Sequence, residues 1–525
     1  MAKHSALTGD EAYVLSQQYT DSQLIGAGNV TGVKGDAETS YRAGTVNLTP
    51  ENIGAYSKVE VDAAVRQVSD KADENQANIQ TLQTAVAGLD YKVNSLAKCY
   101  GMHINGNESN PASMITYLAD AVGMTPAHMD YTNNQFDYGS WKETFALDEK
   151  PCVLNSDGTV YCYLNPNDLT KDADGNDVTD VVDGITDFGQ NVMVEFPKIW
   201  MKIVPDADDA FSASAYFSQV KLDDGYKDYA YIDKNGNHKE HFYMPCYNGS
   251  LVNGTMRSLS GKQVSKTLTG QQEIDACVAN GNGWYTEDAG EVMLINFLLM
   301  LISKSTDTQT VFGQGLHTGG SEAINDAFRT GIHNDKGMFY GTNSGAAATY
   351  TNAVKCFYVE NWYGFQWRRY AGDILDNGIL KQKLCWGTED GSTVNDFNLT
   401  GSGYVTIPDC TPSGANGGYI SQMKFTEKGM FSKVSSGSSS TYYCDGQWYN
   451  NSDARYAIRG GDSRNGLLCG ALCVTRVTDV GVAAWSYGAA ISYKELHRKG
   501  EFAQAKRGNG LKKPVSPKIK IDEQP

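Results

Sequence analysis

The sequence predicts an α+β chain in which a helical stalk precedes a mixed α/β body, and three observations lead there. Eleven positions from Val61 to Leu96 recur at alternating spacings of four and three residues. Short alternating apolar runs, broken by Asp-Gly and Asn-Gly turns, fill much of residues 150–250. A single helical candidate, Glu287 to Lys304, carries an apolar run from Val292 to Ile302 that suits a buried helix.

The first element reads Val61, Val65, Val68, Ala72, Asn75, Ile79, Leu82, Val86, Leu89, Val93 and Leu96, with Asn75 as its one polar member. A strict seven-residue repeat keeps one seam toward a partner, so the expectation is a parallel, left-handed coiled coil about 54 Å long. Val and Ile opposite Leu favour two strands, while Val at both core positions pushes toward higher order; the heptads leave dimer and trimer open. A lone amphipathic helix packed on a globular domain is the alternative.

Composition narrows the function. A net charge of −17 argues against a nucleic-acid partner, since phosphate binding needs a basic stripe. No apolar run approaches the ~18 residues that suggest membrane insertion. Met1 to Leu7 lacks the apolar core of a secretion signal. The 55 Gly and 31 Tyr suit a turn-rich, aromatic adhesive surface better than a metabolic enzyme. An adhesive composition without an export signal fits a virion component made in a host cytoplasm. There the eleven cysteines are expected to be mostly buried free thiols.

Within the body, Thr116–Ala121 reads as a short helix behind Asn110-Pro111. Val153–Leu164 reads as a hairpin turning at Ser156-Asp157-Gly158. Met193–Val204 is expected to be one strand, and Ala230–Met244 a second hairpin turning at Asn235-Gly236, with His238 and His241 on its surface. Asp172 to Asp177 lacks the spacing and closing Glu of a calcium loop and reads as a solvated turn. The glycine clusters at 311–320, 331–341 and 372–378 read as loops and match no phosphate-binding pattern. No metal, cofactor or catalytic constellation is expected: neither Gly-x-Ser-x-Gly nor His-Glu-x-x-His occurs.

Two strings resemble known families. LTPENIGAYSKVEVD (residues 48–62) is similar to a short repeat near the base of tailed-bacteriophage fibres, and SALTGDEAYVLSQQYTD (5–21) resembles the virion-attachment segment of phage tail proteins. This resemblance implies attachment to a phage tail or baseplate protein through the N-terminus, a homotrimeric stalk, and a distal part that grips a bacterial surface protein or glycan. KCFYVENWYGFQWRRYAG (355–372), with Trp362, Gly364 and Trp367, and residues 455–493, opening on Arg459-Gly460-Gly461, resemble C-type-lectin-like domains of the formylglycine-generating-enzyme type. Phage adhesins diversified by retroelements share that fold. Arg368 stands where the family often has an acidic residue, and the enzyme's cysteine pair and the lectins' calcium motifs have no counterpart here.

The implied organisation is an attachment segment (1–57), a coiled-coil stalk (58–98), a β-rich intermediate region (99–269), a lectin-like receptor-binding domain (270–497) and a basic tail (498–525). The expected binding residues are Asp462, Arg464, Asn465, Leu468, Leu472, Val474, Arg476, Thr478, Trp485 and Ser486, on a scaffold that includes Arg459, Gly460, Gly461, Cys469 and Cys473. Arg and Trp are residue types that dominate binding hot spots. The expected function is non-catalytic, multivalent attachment; a polysaccharide-degrading tail enzyme and a purely structural fibre are the alternatives.

Overall fold

The computed structural model describes residues 56–178 and 190–494. The attachment strings up to residue 55 and the basic tail lie outside the described residues. The chain divides into two compact units, with the boundary in the sequence after Leu96.

In the first unit Lys58–Leu96 forms one helix of 39 residues. Ser57 caps it, exchanging hydrogen bonds with Glu60 in the first turn. The expected stalk is corrected, and with it the α+β assignment: strand outweighs helix, 32% to 18%, and a coiled-coil stalk finds no support among the described residues. Val65, Val68, Ile79, Leu82 and Val86 are exposed along the helix, as are Ala72 and Asn75. The apolar seam is one residue wide and flanked by Asp, Gln and Asn, so water reaches it from both sides.

The second unit is built on three sheets. A four-stranded antiparallel sheet runs Ile115–Ala119, Cys99–Ile104, Ala213–Ser218, Trp200–Pro205. The expected helix at 116–121 is a strand here, because Ile115 and Tyr117 alternate inward from Thr116 and Leu118. The expected single strand 193–204 is two, Asn191–Pro197 and Trp200–Pro205, in different sheets; the break falls at Pro197, which has no N–H to extend a ladder. A seven-stranded sheet contains the expected hairpin, Lys150–Leu154 with Val160–Asn165. The expected 230–244 hairpin keeps its turn at Asp233–Asn237 but has only the isolated bridge Ile232–His238. Asp172 ends a strand and accepts from Asn176, as a solvated turn should.

The third sheet has ten strands and curls; Trp367–Asp376, Arg455–Arg459, Val474–Arg476 and Gly446–Tyr449 lie side by side in it. Gly372, expected in a loop, lies inside the first of these strands.

One helix unites the sheets. Ala289–Ser303 is buried at every position, so it needs no amphipathic stripe. Asp288 caps it, accepting from the N–H groups of Gly290 (3.0 Å) and Glu291 (3.1 Å), while Glu291 accepts from Asp288 N–H at 3.0 Å. A Cβ at Gly290 would stand 2.2 Å from the Leu384 carbonyl oxygen, which is why this turn takes glycine. Phe297 to Ile302 are fully sealed, and each such side chain contributes about 1.5–3 kcal/mol. The helix shares one core with Met102 and Phe217 of the four-stranded sheet and Leu375 and Ile420 of the curled one.

The chain's last described strand closes the unit. Ile491–Lys494 inserts between His241–Pro245 and Trp284–Thr286, so one sheet spans the expected regions 99–269 and 270–497. Lys494 also pairs with Asp288 (2.5 Å), and Ser492 donates to Glu291. The closing strand is thereby tied to the helix cap. All eleven cysteines are free and nine are buried.

Candidate functional site

Residues 459–488 form a buried strand set with two surface-reaching loops. The segment enters from Arg459, which is 2% exposed and donates to the Glu287 carboxylate at 2.8 and 3.1 Å. Its guanidinium lies 3.7 Å from the Trp362 ring centroid and donates to the Trp362 carbonyl. Arg368, the departure from the lectin pattern, donates to the same Glu287 at 3.1 Å. Burial pushes its guanidinium down to about 10, against the pull of Glu287.

Gly460 and Gly461 then turn the chain with φ of +88° and +81°, a left-handed pair that other residues adopt at a cost. A side chain at Gly461 would also strike Cys469 Sγ.

Asp462 follows, fully buried, and organises the first loop. Its carboxylate accepts from the Arg464 backbone N–H (2.9 Å) and from Arg464 Nε (3.3 Å) and Nη2, while its own N–H donates to Asn465 Oδ1 at 2.7 Å. Arg464 also donates to Ser486 Oγ at 3.1 Å, and its guanidinium lies 4.5 Å from the Trp485 ring centroid. The hydrogen bonds to Asp462 raise the Arg464 pKa further, so it is always charged. Five expected residues therefore converge: Arg464, Asn465 and Trp485 reach solvent, and buried Asp462 and Ser486 position them. Leu468 is half-buried beside them, and Leu467 is 41% exposed.

Leu472, Val474, Arg476 and Thr478 are corrections: none is available to a partner. All four are buried, because Val474–Arg476 pairs on one side with Arg455–Arg459 and on the other with Gly446–Tyr449. Leu472, Val474 and Arg476 line a cavity of about 70 Å³ with Met293 and Asn296 of the central helix. Arg476 donates to both Asp373 oxygens (2.7 and 2.6 Å) and to Ser432 Oγ (3.0 Å). Burial opposes that charge, but Asp373 outweighs it and raises the Arg476 pKa.

Sequence reasoning missed two members of the surface. Trp448 and Tyr487 are half-buried and pack against Trp367, Ile458 and Cys473. Trp448 meets Trp367 edge-on at 5.5 Å. The pair Trp448-Tyr449 was the only signal for Trp448 and lies outside the tract that the resemblance marks, whereas Tyr487 lies inside it, next to Trp485 and Ser486.

The site can offer a planar cation stacked on indole, an amide and a rim of aromatic and aliphatic surface. That is recognition chemistry. Among the described residues no group of three or more His, Cys, Asp or Glu could hold a metal ion, and no helix is long and apolar enough to cross a membrane. No family model matches the chain, and no curated protein matches it either.

Proposed function

We propose that this chain attaches a tailed-bacteriophage virion to its bacterial host by non-catalytic binding, and that Arg464 and Trp485 lie at the centre of the contact. The observation that carries the reading is the Arg464–Trp485 stack, held at the surface by buried Asp462 and Ser486. A guanidinium fixed before the partner arrives loses little side-chain freedom on binding, so more of its interaction energy appears as affinity. The fibre-like strings at 5–21 and 48–62 support a virion setting and attachment to a tail or baseplate protein. Several copies on one particle would raise avidity well above single-site affinity.

The test uses the purified chain and the bacteria on which the phage grows. The chain should coat the cells and block phage adsorption, and the double variant Arg464→Ala/Trp485→Ala should do neither while remaining folded with a cooperative melting transition. Release of reducing sugar from the cells by the chain would instead support a polysaccharide-degrading enzyme. Equal blocking by the double variant would remove this surface from the contact.

A further inference from the structure

A second recess lies apart from the Arg464 surface, between the Asp233–Asn237 turn, the Gly281–Tyr285 segment and the corner at Trp386. Its volume is about 90 Å³. Both walls are rigid. Asp233 is buried and accepts from the N–H groups of Asn235 (2.8 Å) and Asn237 (2.9 Å), which fixes the turn that presents Lys234. On the other wall buried Asp390 accepts from Leu384 N–H at 2.7 Å and from Ser392. The walls are clamped to each other: His238 Nε2 lies 2.7 Å from Glu389, and His238 Nδ1 lies 2.9 Å from Asp228.

The lining is aromatic. Trp284, Tyr285 and Trp386 line it; Trp386 meets Tyr285 edge-on at 5.0 Å, and both pack on buried Phe397 behind the recess, at 4.8 and 6.0 Å. Lys494 and Trp284 Nε1 of the lining are engaged, with Asp288 and with the Ser156 carbonyl, but three other polar groups are unspent. Among the described residues, Trp386 Nε1, the Tyr285 hydroxyl and the Asn282 amide make no hydrogen bond, and none of these atoms is sealed from solvent. Lys234 is exposed, makes no ion pair, and holds its ammonium 5.5 Å from the Trp386 ring centroid. Among the described residues Lys304 and Lys433 also stand over an aromatic ring without an ion pair; Lys234 differs in that its ring lines a recess.

We propose that this recess binds an acidic saccharide, such as a hexuronic acid residue of a surface glycan. The aromatic faces would take the C–H side of the sugar ring, and Nε1, the tyrosine hydroxyl and the Asn282 amide would pair with ring hydroxyls. The Lys234 ammonium would meet the carboxylate, a charge-assisted bond stronger than a neutral one. This assignment does not rest on the reading of the Arg464 surface.

The experiment is saturation-transfer NMR on the full chain, titrated with methyl β-D-glucuronide and, separately, methyl β-D-glucoside. The glucuronide should bind saturably and about tenfold more tightly than the glucoside. Lys234→Gln, an exposed change that leaves the fold intact, should abolish that preference, whereas Arg464→Ala should preserve it. Trp386→Phe should weaken both sugars; because Trp386 is mostly buried, the Lys234 variant carries the decision. Absence of saturable binding into the tens of millimolar, equal binding of the two sugars, or a preference that survives Lys234→Gln would each overturn the assignment.

Discussion

Arg464 and Arg476 stand twelve residues apart, and each is paired with an aspartate, yet they do opposite things. The Arg464 side chain is 50% exposed and bonded to a buried carboxylate two residues away; the Arg476 side chain is 4% exposed and bonded to Asp373, 103 residues away. A local pair on a loop positions a surface group. A long-range pair inside a sheet seals a core, where its worth lies in the cost of leaving one charge alone. The lesson is that a binding tract cannot be read as a continuous stretch, because its strand half is structural and its loop half is not.

The comparison breaks first at Arg476. Arg476→Ala should destabilise the body by about 3–5 kcal/mol, because Asp373 is left buried and unpaired; chemical denaturation reads it, and a loss below about 1 kcal/mol would move Arg476 back to the surface class. Asp462→Ala removes the acceptor of the Arg464 backbone N–H and should cost about 1–3 kcal/mol while also loosening the loop. A melting point unchanged from the parent would show that the loop holds itself. Arg464→Ala leaves buried Asp462 with a backbone N–H in place of its cation, so it should cost about 1–2 kcal/mol in stability, less than Arg476→Ala, and reduce cell binding about tenfold. Cell-binding titration beside a melting curve separates the two effects.

The smallest effect concerns the clamp at the second recess. Burial works against the charge on His238, but Asp228 and Glu389 outweigh it and raise its pKa above the ordinary value. The imidazolium then stabilises the fold fully below the ordinary histidine pKa of about 6.5, and this contribution fades as pH rises through the raised value. The melting temperature should therefore fall between about pH 6 and pH 8 in the parent more than in His238→Gln. Identical slopes would mean that the clamp carries no charge.

Several features were legible in the chain because they depend on near neighbours. The run Val292–Ile302 within Glu287–Lys304 spells a buried helix, and Ser156-Asp157-Gly158 spells its turn. The period in Val61–Leu96 correctly marked a helix, but periodicity reports the shape of one chain and cannot by itself supply a second chain to pack against. The strand at Ile115–Ala119 was misread because five residues hold too little pattern to outweigh a preceding Asn-Pro start signal.

The buried central helix, the helix at Lys58–Leu96, the hairpin turn at 156–158 and the concentration of Arg and Trp around 464–485 follow from the sequence alone. Only the tertiary structure decided that Leu472, Val474 and Arg476 face inward, that the closing strand joins both halves of the body in one sheet, and that Lys234 meets Trp386. The physical reason is range. Caps and turns are settled by hydrogen bonds across a few residues, whereas exposure depends on which distant strands and carboxylates arrive beside a side chain once the sheets close.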